Sequence, residues 1–482
     1  MSWNIVKRFA TLGNKFYEFV APTPLTDDVK LLHTNHDLLN RLNLDGLSKK
    51  ELLTVCSGQL YINNYQSLAT YYMGHQFGVP VAKLGDGRAI LIAEQQSNNK
   101  IYELQLKGAG KTPFSRMGDG RAVLRSSIRE YLVSHAMYQL GVSTTEAIAI
   151  VASQDKVVRE TRESAAIVLR TAESFIRFGH FEYFAYHGMI DELEQLTRFV
   201  VDNYYPRDNL QSIGEAAQHL IQNVVINTAS TIAKWQSLGF VHGVMNTDNM
   251  SMLGLTIDYG PYAFMDNFAP KHIYNHSDSD GRYTYANQPY IAWWNLYRLA
   301  EALMKLDGVT EDLLQPVLDS YAKYYNENYQ QLMWQKLGIE DYTNVQDVEF
   351  IDDILNFLES NNIDYTIFWR KLSFGESGMS ELKVLYSNVN FIDIFDRIEN
   401  LQKLSNLTTE QIMLVRKSVN PAFILRNHLL HNAINKANGG NYTEMVILFD
   451  LATNPFEEVV GYEYYYQLPP VWANHLELGC SS

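Results

Sequence analysis

Between Tyr71 and Phe178 short apolar runs alternate with glycine turns. Ala89–Ala93, Tyr102–Lys107 and Ala166–Arg170 each read as a strand. One helical pattern interrupts them. Within 121–140, Leu124, Ile128, Tyr131, Leu132, Ala136 and Leu140 recur at helical spacing, and Gly141 stands where a left-handed cap would end the helix. After Phe178 the period lengthens to that of helices, over 187–204 and 214–238. A compact loop–strand–loop is predicted at 240–268, and helical patterns dominate from 290 to about 450. Two acidic or polar stretches, 339–350 and 375–405, read as surface loops. The pattern predicts an α+β chain in two parts with a cleft between them: a strand-rich lobe with one key helix over 1–182, and a mainly helical lobe over 183–482.

Composition narrows the class. With 39 basic and 54 acidic side chains the net charge is −15, which argues against general nucleic-acid binding, because that needs a basic face. A hydrophobic share of 46% is enough for a sizeable core, and no apolar run approaches the length of a membrane span. Two cysteines, Cys56 and Cys480, make no disulfide framework and fit a reduced, cytoplasmic setting. The first residues carry no secretory signal. Lys7, Arg8 and Lys15 leave a mitochondrial presequence as the minor alternative to an amphipathic surface helix.

The candidate chemistry falls into five segments. In Leu84-Gly-Asp-Gly-Arg88, glycines at 85 and 87 would let the backbone approach phosphate oxygens that Arg88 could neutralise; a plain turn between strands is the alternative. From Lys107 to Arg129 six basic residues (Lys107, Lys111, Arg116, Arg121, Arg125 and Arg129) stand against the single acid Asp119, around Gly118 and Gly120 and the start of the predicted helix. That combination suits a polyphosphate, although the spacing is not that of a Walker A loop. Glu130 is either solvated or the ion-pair partner of Lys107, the strand-lysine and helix-glutamate arrangement of protein kinases. Arg170 and Arg177 lie in apolar sequence and need partners: a carboxylate such as Glu173, or phosphate oxygens. Finally, His242-Gly-Val-Met-Asn-Thr-Asp-Asn249 followed by Asp258-Tyr-Gly260 resembles the kinase pair His-Arg-Asp-x-x-x-x-Asn and Asp-Phe-Gly. Asn249 and Asp258 then fall on the Mg²⁺- or Mn²⁺-binding positions. Val244 occupies the place of the catalytic aspartate, and Asp248 is the nearby carboxylate.

Taken with Gly74-His-Gln-Phe-Gly78, Asn275-His-Ser-Asp278, Asn420-Pro421, Pro469-Pro-Val-Trp472 and the tail Cys480-Ser-Ser482, these segments resemble the selenoprotein O family of kinase-like protein adenylyltransferases over essentially the whole chain. The resemblance implies a protein-kinase-like two-lobed fold that binds ATP flipped, with its α-phosphate toward the acceptor. AMP would pass to Ser, Thr or Tyr side chains of proteins, the enzyme itself included, with UTP as an alternative donor and no nucleic-acid or membrane partner. It further implies that Lys107 binds phosphate with Glu130 as its partner, and that Gly85, Gly87, Arg88, Asp119 and Gly120 line the nucleotide. Arg170 and Arg177 would hold the terminal phosphates, Asp248 accept the proton, and Asn249 and Asp258 bind the metal. Some members pair a cysteine matching Cys480 with one after the Asp-Tyr-Gly segment; here Tyr274 stands at the partner position, which puts that redox link in doubt. Two other readings remain: a nucleotide-binding pseudokinase scaffold, suggested by Val244, and a conventional phosphotransferase.

Overall fold

A computed structural model describes residues 3–479 apart from 60, 63–64, 344, 346, 348, 405–406 and 477; the cysteine tail at 480–482 lies outside the described residues. Up to Ala172 the chain is organised around antiparallel strands: β1 (Tyr17–Phe19), β2 (Lys30–Thr34), β3 (Leu68–Thr70), β4 (Gly74–Gln76), β5 (Val79–Val81), β6 (Ala89–Ser97), β7 (Lys100–Lys107), β8 (Ala122–Val123), β9 (Glu146–Val158) and β10 (Arg162–Ala172). The main sheet runs β1-β3-β6-β7-β10-β9-β2 with β8 on β10, while β4 and β5 form a separate hairpin. In its centre Lys107 faces Val168, and Gln105 faces Arg170. Strand alternation therefore puts Lys107, Gln105 and Arg170 on one face.

The opposite face buries Ile90, Ile92, Leu104 and Leu106 with α1 (His36–Arg41) and α2 (Lys49–Cys56). These two helices, capped by Asn35 and Ser48, are six and eight residues long, too short to show a period in sequence. Among the described residues the strand-rich part thus holds α1 and α2 before the one key helix expected there. The third is the expected one, α3 (Leu124–Gln139), which ends at a left-handed Gly141 (φ +75°) and packs Ile128, Leu132 and Ala136 into the main core.

The remainder is mainly helical: α4 (Phe178–Tyr186), α5 (Ile190–Tyr204), α6 (Ile213–Leu238), α7 (Gln288–Leu303), α8 (Glu311–Lys336), α9 (Phe350–Ser360), α10 (Tyr365–Leu372), α11 (Gly375–Leu385), α12 (Ile392–Leu404), α13 (Thr409–Val419), α14 (Asn427–Asn438) and α15 (Thr443–Thr453). Helix α4 runs through residue 182. The long α6 starts from a Ser212–Glu215 capping box and packs along α8. Between α6 and α7, β11 (Phe240–Val241) pairs with β12 (Ala263–Phe264) and brackets the loop-rich segment predicted there.

The stretch 375–405 is not a surface loop. It forms α11 and α12, because Met379, Leu382, Ile394, Phe395 and Ile398 bury into a second core with Trp334, Phe350 and Trp369. Lys336, at the end of α8, is buried between the rings of Tyr365 and Trp369 with Nζ 3.1 Å from Asn420 Oδ1.

Beyond α15 the chain folds back over the helices. The carbonyl of Pro455 accepts from the amides of Ala422 and Phe423, Glu458 pairs with Arg370, and Trp472 packs on His428 and His431. Leu478 bridges to Asn275, and its carbonyl accepts from the His276 amide at 3.0 Å. The described chain is thus a mixed α and β fold, sheet-rich before Ala172 and helical after it. No described helix is long and apolar enough to cross a membrane.

Candidate active site

A cavity of about 500 Å³ opens between the sheet end of β7, the start of α3 and the loops that flank β11 and β12. Lys107 closes its sheet side. Its Nζ lies 2.7 Å from Glu130 Oε2 and 3.2 Å from Asp258 Oδ1. The lysine–glutamate pair expected from the sequence is therefore formed. Arg170 is partnered by Glu130 Oε1 at 3.0 Å, Asp258 Oδ1 at 2.6 Å and Gln105 Oε1 at 2.8 Å, and not by Glu173. Glu173 pairs with Lys100 at the far end of β7, because strand alternation turns Arg170 inward while Glu173 has already left the sheet. Arg177, at the start of α4, also donates to Asp258 and to the Asp248 carbonyl.

Three cations thus converge on one carboxylate. Burial alone would push the Asp258 carboxyl up, but Arg177, Lys107 and Arg170 outweigh it and hold it well below the usual carboxylate range. Burial draws the Lys107 ammonium down, against the pull of Glu130 and Asp258. Asp258 itself has φ +55°, uncommon for a residue other than glycine. The loop before it is pinned: Thr256 exchanges backbone hydrogen bonds with Ser143 and Thr145, and the buried His242 ring holds the Ile257 carbonyl at 3.0 Å. His242 Nδ1 accepts from the Val244 amide, so the histidine of the kinase-like motif clamps two loops together.

Asp248 sits on a turn of 3₁₀ helix, Thr247–Asn249, and lines the same cavity. Burial raises its carboxyl to about 7, against the Gln76 hydrogen bond and the charge of Arg177. Oδ2 accepts from Gln76 Nε2 at 3.1 Å, and Oδ1 is buried with no partner among the described residues. Gln76 belongs to the β4–β5 hairpin, whose Gly74 lies so close that a Cβ would stand 2.3 Å from Asp248 Oδ1. The Gly74–Gly78 motif carries no chemistry that its own sequence reveals. Its one local signal is the glycine pair Gly74 and Gly78; its contact with Asp248 spans 172 positions.

The glycine segments line the cavity, with a different reason for their glycines than phosphate approach alone. At Gly85 (φ +70°) a Cβ would stand 2.4 Å from the Phe114 ring, and at Gly120 (φ +70°) 2.0 Å from the Gly110 carbonyl. Gly87 and the exposed Arg88 lie on the same rim. Asp119 is held by both terminal nitrogens of Arg159, a residue of the β9–β10 turn that the sequence did not single out. The basic run also divides. Lys107, Arg116 and Arg121 line this cavity, whereas Arg125 and Arg129 face a second one, since successive turns of α3 point them away.

The donors expected to hold a divalent cation fit one. The Asn249 amide nitrogen is committed to the Val244 carbonyl at 3.0 Å, which leaves its oxygen as the ligating atom. Three hydrogen-bonded cations leave one of the roughly four lone-pair sites of Asp258 open. No cluster of three His, Cys, Asp or Glu side chains suited to a metal occurs among the described residues. Two protein oxygens, completed by phosphate and water, is the sparse set that Mg²⁺-type sites use.

A family profile described as Protein adenylyltransferase SelO matches residues 1–452. The chain is 44% identical over 486 residues to the Protein nucleotidyltransferase YdiU of Bordetella petrii, covering 98% of this chain and 97% of that one. It is 41% identical to the proteins of the same name from Cupriavidus pinatubonensis and Variovorax paradoxus, covering 98% of this chain and 94% and 96% of theirs.

Proposed function

The chain belongs to the SelO family of protein adenylyltransferases, and from that membership we propose how its cavity moves AMP from ATP to protein. The observation that carries the reading is the convergence of Lys107, Arg170 and Arg177 on Asp258, beside a buried Asp248 that keeps one oxygen unpartnered among the described residues. The fold is read as kinase-like and two-lobed, with the nucleotide between a strand-rich lobe (1–182) and a helical lobe (183–482).

Lys107, oriented by Glu130, binds the polyphosphate with Arg170 and Arg177, and Gly85, Gly87, Arg88, Asp119 and Gly120 line the nucleotide. Asn249 and Asp258 would hold Mg²⁺ or Mn²⁺, which when bound would offset charge at the transferred phosphorus. The nucleotide lies flipped relative to kinases, so the α-phosphorus meets a Ser, Thr or Tyr hydroxyl of a protein acceptor, this chain included. Asp248 takes the hydroxyl proton, the oxygen bonds to the α-phosphorus, and the bond to the β-phosphate breaks. Pyrophosphate leaves into the field of the two arginines, the arrangement that phosphoryl-transfer chemistry rewards. UTP is an alternative donor for the same cavity.

Parallel incubation with α-labelled and γ-labelled ATP tests the reading. Label is expected on protein from the α position only. Stable γ-label on protein with no α-label would make the chain a conventional phosphotransferase, and no transfer of either label with retained ATP binding would make it a scaffold.

A further inference from the structure

Three consecutive residues of the β4–β5 hairpin each take hold of the loop that carries Asp248. The His75 amide donates to Thr247 Oγ1 at 2.7 Å, Gln76 Nε2 to Asp248 Oδ2 at 3.1 Å, and the Phe77 amide to Asn246 Oδ1 at 3.2 Å. The hairpin is itself fastened to α4. The Met73 amide donates to the Gly179 carbonyl at 3.0 Å, and His75 Nδ1 lies 2.6 Å from Glu182 Oε1. Thr247 Oγ1 donates to the other oxygen of Glu182, so one glutamate ties hairpin and loop together.

The tip of the hairpin is held as closely. Phe77 (φ +52°) and Gly78 (φ +83°) form its turn, and a left-handed backbone is uncommon for phenylalanine. Such a conformation persists where the surroundings over-determine it. Tyr283 does so here. Its hydroxyl accepts from the Phe77 amide at 3.0 Å and donates to Asn246 Oδ1 at 2.7 Å, and its ring packs on that of Phe77 with centroids 5.2 Å apart. What the hairpin presents to Asp248 is therefore set by the fold. On one side is Gly74, with no side chain, against Oδ1; on the other is the half-buried Gln76 amide, which lines the cavity. No other side chain donates to either Asp248 oxygen among the described residues.

We propose that Gln76 is a positioning residue of the transfer reaction: its amide fixes the plane of the Asp248 carboxylate, so that the acceptor hydroxyl meets a base already aligned. The proposal rests on the reading of Asp248 as the proton acceptor. A carboxylate turns easily about its terminal bond, because that torsion has broad minima. Contact with Gly74 limits the turn, and the Gln76 hydrogen bond selects one orientation within it. Alignment of this kind acts on turnover and not on nucleotide affinity. The Gln76 side chain makes no hydrogen bond to Lys107, Arg170, Arg177 or Asp258 among the described residues.

The test compares Gln76→Met, which keeps the length and loses the donor, with the parent chain, in both the native and the Asp248→Ala backgrounds. Transfer of α-label from ATP to the chain itself is timed at saturating ATP, and ATP affinity is measured by calorimetric titration. Gln76→Met is expected to lower the saturated rate about tenfold to a hundredfold, with ATP affinity and melting temperature held. In the Asp248→Ala background the same change should cost less than about twofold, because the group it aligns is gone. Gln76→Glu, of the same shape and at home in water, repeats the comparison should the methionine disturb folding. Val79→Thr, an exposed change on the facing strand, should leave rate and affinity as they are. An unchanged rate in both Gln76 variants, an equal loss in both backgrounds, or ATP affinity falling in step with the rate would each overturn the proposal. No α-label transfer by the parent chain would overturn the reading of the cavity and this proposal with it, so the two failures are told apart by whether the parent labels itself.

Discussion

Asp248 and Asp258 are ten positions apart and carry opposite electrostatic loads. Three cations hold Asp258 ionised, while burial raises the Asp248 carboxyl to about 7. A carboxylate poised near neutrality is suited to accept a proton, and general-base assistance is typically worth ~10²–10⁴-fold. Asp248→Ala is therefore expected to lower transfer within about that range while ATP affinity survives, because Lys107, Arg170 and Arg177 are untouched. Transfer rate and ATP affinity measured on the same variant decide it. Unchanged transfer would remove Asp248 as the base, and parallel loss of both would make it a ligand or a structural cap. At this scale the Lys107–Glu130 ion pair was legible, as a lysine on a strand and a glutamate on the next helix. The partners of Arg170 were not. Arg170 turned to Glu130 and Asp258, 40 and 88 positions away, and not to Glu173. Local patterning carries no information on such distant pairs.

The Gly85–Gly87 segment shows what an element can demand of one residue. Gly85 combines a left-handed backbone with a Phe114 ring packed where a side chain would begin. Phe114 is buried, and its turn is fastened by Thr112 Oγ1, which donates to the Asp86 carbonyl at 2.7 Å. Gly85→Ala is expected to destabilise the chain by about 1–3 kcal/mol through strain and displaced packing. It should also weaken ATP binding, because the displaced ring lines the same cavity. Thermal unfolding and nucleotide titration of the variant read the two effects separately; an unchanged melting temperature would show that the segment is loosely held. Elements of full helical length were legible from their period, as in α3 and α6. Helices α11 and α12 were not, because their charged residues resemble loop composition while Met379, Leu382, Ile394 and Phe395 supply the buried face. Composition outweighed period in that reading, and the second core reverses the weighting.

Over the whole molecule, buried charge far from the site sets part of the pH response. Burial, with the charge of Lys234, draws the Lys336 ammonium down from its ordinary 10.5 to about 7. Between those values the unfolded chain holds a proton that the folded chain has released, so stability from this group rises with pH across that window and its penalty is full below 7. Comparing melting temperatures of the parent chain and Lys336→Met at pH 7 and pH 10 checks it. The difference, parent minus variant, is expected to increase toward pH 10, and a pH-independent difference would show that Lys336 is already solvated in the fold. The division into a sheet-rich and a helical part was legible at this scale; the way the segment after α15 lies over the helices was not, because Leu478 and Asn275 are 203 positions apart. That overlay bears on where the protein can be cut. The family signature stops at 452, but an expressed fragment ending there would leave the amides of Ala422 and Phe423 without Pro455, Arg370 without Glu458, and His428 and His431 without the cover of Trp472. Such a fragment is expected to be recovered insoluble or readily digested by trypsin, whereas the full chain resists, so the smallest autonomous unit of this fold is longer than the stretch by which its family is recognised.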